Sequence, residues 1–197
     1  GGMPATLERT AVVRRRVLAD LDDPRQVFEH LTPNWFAAVM GTGIVANAAT
    51  VVPVRSPLIT VFATAIWVLA AALLVGIGAA FVVHWRRHGD IARRYAADPG
   101  MSQFYGAVPM AILTVGAGTL HLGEPMLGET AALSISSVLW ASGTVIGVVT
   151  AVGVPFAMMT AAPQSENAAL PAWLMPVVPP MVSASTGAAL VAYVPAG

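Results

Sequence analysis

Five long stretches of this sequence contain no Asp, Glu, Lys or Arg. They cover residues 33–52, 57–83, 104–122, 130–160 and 173–194. Each is close to or above the roughly 20 apolar residues that a bilayer-spanning helix needs. A helix on the surface of a soluble protein would show a polar face at 3.6-residue spacing, whereas these stretches are apolar all round. The sequence therefore predicts an all-α integral membrane protein with about five transmembrane helices.

The composition excludes several other classes of protein. Only 10% of the residues are charged, against about 25% in soluble domains. The net charge is zero and there is no Cys. We therefore expect no nucleic-acid partner, no disulfide and no thiolate metal site. The partners that we expect are the lipid bilayer and small solutes.

The arginines predict the orientation in the membrane. Residues 1–32, read as an N-terminal arm, contain five Arg, and the segment after the second stretch, read as a loop, contains four. The segment after the first stretch has only Arg55, and the segment after the third has none. Because positive charge favours the cytoplasmic side, we expect a multi-pass plasma-membrane protein with a cytoplasmic N-terminus. The fourth stretch exceeds one bilayer thickness, so we expect it to tilt or to break near Pro155.

The first, third and fifth stretches share a pattern of small and hydroxyl residues. They contain MGTGI at 40–44, PMAILTVGAG at 109–118 and PPMVSASTGA at 179–188. Aligning Gly43, Gly118 and Gly187 gives spacings of 75 and 69 residues, which predicts a repeat of one inner and one outer helix. Small residues at membrane depth line cavities, but they also let helices pack closely. Both interpretations are open from the sequence.

The candidate pore-lining residues lie in these inner stretches. Thr114 and Thr186 are the strongest of them, because a hydroxyl can donate to an anion, although each can instead bond its own i−4 carbonyl. Phe36 is either a constriction or an interfacial anchor beside Trp35. The full set is Phe36, Gly41, Thr42, Gly43, Thr114, Gly116, Gly118, Ser183, Ser185, Thr186 and Gly187.

The segment PNWFAAVMGTGI at 33–44, together with WLMPVVPPMVSASTGA at 173–188, resembles the tellurite-resistance/dicarboxylate transporter family. That family includes bacterial tellurite-resistance and malate transporters, fungal sulfite exporters and plant slow-type anion channels. The resemblance covers residues 33–197. It implies ten helices in five hairpins around a quasi-fivefold pore, with odd helices inside and even helices outside, and a trimeric assembly.

The resemblance also implies what passes through the pore. The solutes are small anions: malate and other C4-dicarboxylates, chloride, nitrate or sulfite. The family's gating phenylalanine lies on the ninth helix, so no residue among these five stretches inherits that role. We expect the chain to be the N-terminal half of a longer, truncated protein.

Other motifs give no catalytic or metal site. His84 and His88 have the i, i+4 spacing of metal ligands, but they lie beside Arg86 and Arg87, whose charge repels a cation. HLGE at 121–124 offers one His and one Glu, and phosphate-loop and GxSxG motifs are absent. We therefore predict a non-enzymatic protein without a cofactor that passes small anions. The alternative is a membrane scaffold or subunit whose small-residue stripes only pack helices.

Overall fold

The computed structural model describes residues 31–53, 56–160 and 171–193, and the regular structure in these ranges is helical. The α-helices are α1 (Phe36–Val51), α2 (Pro57–Arg87), α3 (Gly89–Ala97), α4 (Pro99–Ser102), α5 (Ala107–Leu122), α6 (Glu124–Leu127), α7 (Glu129–Thr160) and α8 (Pro179–Val191). Short 3-10 helices precede α1, α5 and α8, over Pro33–Trp35, Gln103–Gly106 and Pro171–Val177. The predicted arm, residues 1–32, lies outside the described residues apart from its last two.

Four helical segments of the described chain are long and apolar enough to cross a membrane: Pro57–Arg87, Gly100–Leu122, Glu129–Thr160 and Leu174–Val191. The segment that contains α1 is not among them; α1 itself has 16 residues and extends about 24 Å. The preceding 3-10 turn adds about 6 Å, which brings the two together to about the thickness of the hydrocarbon core. The all-α membrane class is confirmed, and the first of the five predicted spans stays a prediction.

Helix α5 lies at the centre of the bundle and packs against α1, α2, α7 and α8. In its most apolar stretch 72% of the residues are buried, against 11% in α2 and in α7. Large apolar side chains such as Val61, Val75, Val145 and Val152 are exposed on these two outer helices. Since a lipid-facing helix satisfies its backbone internally and needs only an apolar surface, α2 and α7 suit an outer layer.

Helices α1, α5 and α8, called the inner helices below because they carry the three predicted inner stretches, begin in the same way, each after a 3-10 helix. Their first residues, 36, 107 and 179, are 71 and 72 residues apart, and the outer helices α2 and α7 begin 72 residues apart. The fold therefore repeats a unit of one short inner helix and one long outer helix. This period is close to the one that the aligned glycines predict.

The segment after the second stretch is helical, and its prediction as a loop was wrong. Helix α2 continues to Arg87, and α3 follows almost at once. Ala92 is buried on one side of α3, whereas Arg93 and Arg94 are exposed on the other. This amphipathic pattern explains why a segment with so many arginines still folds as a helix against the bundle.

Helix α7 is continuous through Pro155, so the alternative of a break there is wrong. A proline removes only one i−4 hydrogen bond, and neighbouring packing can maintain the helix in a bundle. The 32 residues of α7 extend about 48 Å, well beyond the roughly 30 Å hydrocarbon core. The helix begins directly after Gly128, whose φ of +82° is the left-handed region that favours glycine.

Candidate functional site

A groove of about 260 Å³ lies where the inner helices α1, α5 and α8 meet. Each helix presents one stripe of residues at helical spacing. The lining residues are Ile44, Asn47, Thr50 and Val51 from α1, Met110, Thr114, Ala117 and His121 from α5, and Val182, Ser185, Thr186 and Ala189 from α8. The groove therefore brings together three of the predicted residues, namely Thr114, Ser185 and Thr186. None of these described lining residues carries a carboxylate or a guanidinium group.

The threonine hydroxyls of the groove are bonded within their own helices. Thr114 Oγ1 donates to the carbonyl of Met110 at 2.6 Å, and Thr186 Oγ1 donates to the carbonyl of Val182 at 3.0 Å. This is the i−4 arrangement that the sequence leaves open as the alternative. Each hydroxyl must therefore leave its carbonyl before it can donate to a solute. Ser185, by contrast, is exposed on the groove.

Asn47 connects α1 to α5. Its Nδ2 donates to the backbone carbonyl of Thr114 at 2.9 Å. Its Oδ1 is buried and has no hydrogen-bond partner among the described residues. A Cβ added at Gly118 would lie 3.3 Å from this oxygen, so the oxygen points toward Gly118, which does not line the groove. The reversed amide would bring Oδ1 against the Thr114 carbonyl oxygen, and two acceptors repel.

Two of the predicted glycines pack against a tryptophan side chain of an outer helix. A Cβ at Gly118 would lie 2.5 Å from Cδ1 of Trp67 on α2, and a Cβ at Gly187 would lie 3.0 Å from Nε1 of Trp140 on α7. Both glycines are therefore sites where an indole approaches an inner helix closely. The alignment of Gly118 with Gly187 describes a real structural equivalence, but the shared partner is an outer helix.

Gly43 and Gly116 also lie at contacts between helices. A Cβ at Gly43 would lie 2.7 Å from Cγ2 of Thr114, and one at Gly116 would lie 3.1 Å from Cβ of Leu139 on α7. Buried Ser136 adds a hydrogen bond at this second contact, from its Oγ to the carbonyl of Gly116 at 2.9 Å. These glycines permit α5 to pack closely against α1 and α7.

The two predicted serines of α8 lie on different sides of that helix: Ser183 faces α7 and Ser185 faces the groove. The hydroxyl of Ser183 lies 2.6 Å from that of Thr144 on α7. The Ser183 carbonyl accepts a 2.9 Å hydrogen bond from Nε1 of Trp140. Ser183 thus faces the outer helix, two residues before exposed Ser185 on the groove side.

None of the predicted α1 residues lines the groove; Gly43 meets Thr114, and the other three lie elsewhere. Phe36 is 2% exposed, and its ring meets that of Phe81 on α2 edge-on, with the ring centres 5.3 Å apart. Gly41 is exposed, and a Cβ there would meet nothing within 4 Å. Thr42 Oγ1 donates to the carbonyl of Ala38 at 2.8 Å. None of these three residues is among those that line the groove.

A second cavity, of about 420 Å³, lies at the end of the bundle where α1, α2 and α5 meet. We call it the end cavity. Its lining residues include Thr50, Ser56, Thr60 and His121. Thr50 and His121 line the groove as well, so the two spaces share a wall. An imidazole with two ring nitrogens thus lies at the junction of the groove and the end cavity.

The histidines of the i, i+4 pair belong to an aromatic cluster at the other end of α2. The rings of His84 and His88 stack with their centres 6.0 Å apart. His84 is buried and also stacks on Phe81 and on Tyr95 of α3. These contacts hold α3 against α2, which explains the pair as packing and gives no indication of a metal site.

Sequence reasoning missed three polar residues of the groove: Asn47, Thr50 and His121. The motifs that directed attention to glycine and threonine contain none of them. A signal was present for Asn47, because an amide in the middle of an apolar span is costly and therefore informative. No sequence pattern connects His121 with α1, since only the packing of α5 brings them together.

The fold and groove define a multi-pass helical membrane protein with a partly polar groove between α1, α5 and α8. The chain belongs to the voltage-dependent anion channel (SLAC1) family, whose model matches residues 30–197. This agrees with the resemblance seen in the sequence motifs. The family points to a transport protein rather than an enzyme.

Among curated proteins, the chain is similar to the sulfite efflux pumps of Arthroderma otae and Trichophyton rubrum. It is 28% identical to each over 155 residues, which is 79% of this chain and 41% of either pump. It is also 26% identical to an uncharacterized transporter of Methanocaldococcus jannaschii, over 77% of this chain and 42% of that protein. The chain thus spans about two fifths of the length of the curated relatives that it matches. No solved structure gives a significant match.

Proposed function

We propose that this chain forms part of a pathway for small anions across a membrane, bordered by the groove between α1, α5 and α8. The observation that carries the proposal is the groove itself, where α1, α5 and α8 each place two polar residues beside two apolar ones, including Asn47, Thr114, Ser185 and Thr186. Neutral donors suit a conduction path, because they bind an ion strongly enough for entry and weakly enough for release.

Sulfite is the first anion to test, because the similar fungal proteins carry the description of sulfite efflux pumps. Malate, chloride and nitrate are the further candidates that the sequence resemblance implies. All of these are small oxygen- or halide-bearing anions that hydrogen-bond donors can stabilise. The absence of an acidic side chain from the described groove lining is consistent with an anionic solute, since a carboxylate there would repel it.

The membrane, the orientation and the assembly of the protein are part of the same proposal. The proposal places the protein in the plasma membrane with a cytoplasmic N-terminus, an orientation that the arginine distribution supports, and as a trimer, which the family resemblance implies. In this orientation the end cavity opens to the outside, because it lies where α1 ends and α2 begins. An anion would then pass between the end cavity and the groove beside His121.

A scaffold or subunit without transport is the second candidate function. The observation that favours it is the position of Gly43, Gly116, Gly118 and Gly187, each of which receives a side chain of a neighbouring helix. Small residues at such contacts serve helix association alone. The two functions differ in one respect that can be measured, namely whether water and anions reach the groove.

Cysteine accessibility tests the pathway directly. The chain has no native Cys, so a single introduced thiol is the only target in it. In the longest reading frame that contains the chain, Ser185→Cys should react quickly with a charged, membrane-impermeant methanethiosulfonate. Ala65→Cys, on an exposed face of α2, is the matched control and should stay unreactive in the bilayer. If the two thiols react at the same rate, the groove is not a water-filled path.

Flux measurements test the function itself. The same protein in liposomes should release sulfite or chloride when a potassium ionophore removes the charge imbalance. Modification of Ser185→Cys should then lower that flux, because the added group occupies the groove. Flux from wild-type liposomes no faster than from empty ones would favour the scaffold.

A further inference from the structure

We propose that the side-chain amide of Asn47 is an anion-binding group of the groove, with its N–H edge turned to the solute and its carbonyl oxygen held away from it. The inference rests on the proposed function and deepens it, because it names the group that meets the anion. Asn47 lies eleven residues after the start of α1, about 16 Å along the helix axis. Val51, the last residue of α1, is four residues further on, about 6 Å, so the site lies within α1 near its C-terminal end.

The orientation of the amide is fixed by its partner on α5. One Nδ2 hydrogen is donated to the Thr114 carbonyl at 2.9 Å. An asparagine amide has two donor hydrogens, so a second one remains for the groove that Asn47 lines. The fixed nitrogen thus presents partial positive charge to the groove, which exposed Ser185 also lines.

The side-chain carbonyl oxygen of Asn47 lies away from the groove. Oδ1 is buried without a hydrogen-bond partner among the described residues, and it lies beside the missing side chain of Gly118. The nearby Trp67 indole does not bond it, because Trp67 Nε1 lies 3.3 Å from Thr119 Oγ1 and donates there. A buried acceptor without a donor is costly, and the hydrogen bond from Nδ2 to the Thr114 carbonyl holds the oxygen in this position.

This orientation of the amide suits an anion path. An oxygen on the groove would repel an anion, whereas an N–H attracts it, and a neutral amide does not trap the ion as a guanidinium would. Gly118 leaves room for this arrangement, because a Cβ there would lie 3.3 Å from Oδ1 and the oxygen would have to shift by a few tenths of an ångström. The ligand class is a small inorganic or carboxylate anion that accepts hydrogen bonds.

The test compares two variants of Asn47 in the longest reading frame that contains the chain, with chloride and sulfite as probes. Asn47→Asp keeps the shape and replaces the donor by a negative charge. Asn47→Ala removes the donor without adding volume. Asn34→Ala, at the exposed asparagine of the 3-10 helix before α1, is the matched control. Flux in liposomes, its dependence on anion concentration, and the reversal potential in planar bilayers are measured.

Asn47→Ala should lower the flux at low anion concentration by about tenfold or more, as expected for the loss of one hydrogen bond to a charged group. The loss should appear as a higher apparent KM for the anion. Asn47→Asp should lower the flux further and shift the reversal potential toward cations. If Asn47→Asp does not yield a monodisperse protein, Asn47→Ala decides the question alone.

Two results would overturn the inference in different ways. If the wild-type protein conducts and both Asn47 variants keep its KM and selectivity, Asn47 has only a structural role while the proposed pathway stands. If the wild-type protein passes no anion, the proposed function fails and this site fails with it. A loss of flux with unchanged KM and selectivity also rejects binding, because a packing defect lowers the number of working proteins only.

Discussion

The glycine at 118 provides the sharpest test of how this bundle packs. In Gly118→Ala the new Cβ would lie 2.5 Å from Cδ1 of Trp67 and 3.3 Å from its Nε1. Trp67 has little freedom to retreat, since its side chain is 6% exposed and its Nε1 donates to Thr119. The indole must shift, or α2 must move away from α5.

The expected cost follows from these contacts. Overpacking a tight contact costs about 1–3 kcal/mol, and loss of the hydrogen bond between Trp67 and Thr119 adds about 1 kcal/mol. The better helix propensity of alanine raises the free energy of unfolding by about 1 kcal/mol, which offsets part of this loss. Gly118→Ala should therefore lower the free energy of unfolding by about 1–3 kcal/mol.

Unfolding in mixed detergent micelles, followed by far-UV circular dichroism, measures this change. Gly41→Ala and Gly78→Ala are matched controls, because a Cβ at either position would meet nothing within 4 Å. Both controls should be neutral or up to about 1 kcal/mol more stable. If Gly118→Ala is as stable as these controls, the close approach of Trp67 to α5 is incorrect.

Three further substitutions test other contacts. Trp140→Phe removes the indole donor to the Ser183 carbonyl and should cost about 1 kcal/mol of unfolding free energy, measured as above; an unchanged value would contradict that hydrogen bond. Ser136→Ala removes the donor to the Gly116 carbonyl and should cost about 0.6 kcal/mol in the same assay, whereas a gain would show that the contact is apolar. His121→Ala removes the imidazole between the groove and the end cavity and should lower liposome anion flux severalfold with unchanged stability; equal flux would place the path elsewhere.

The distinction between inner and outer helices could be predicted from the sequence. The second stretch reads as lipid-facing because it lacks a polar side, and α2 does expose its apolar residues. One proline, three glycines and two threonines mark the third stretch, and α5 is the buried centre. The pattern is visible in the sequence because a lipid-facing helix and a protein-facing helix need different surfaces.

The role of each small residue could not be predicted. The sequence cannot distinguish a glycine that packs against an indole from a glycine that lines a pore, since both positions need the absence of a side chain. Gly118 and Gly187 are packing sites because Trp67 and Trp140 lie against them. Both tryptophans belong to other helices, so the local sequence does not reveal these contacts. For the same reason the sequence identified Thr114 as a groove residue without its link to Asn47.

Alone, the sequence determined the class of this protein: an all-α membrane protein with a repeated pair of inner and outer helices and family motifs near both ends of its membrane part. A bilayer imposes its demands on each segment separately, since every span must be apolar and must satisfy its own backbone. Only the tertiary structure decided which residues share the groove, which glycines receive an indole, and which way the Asn47 amide points. These are properties of pairs of helices, because the side of a helix that faces a path depends on which neighbours cover its other sides.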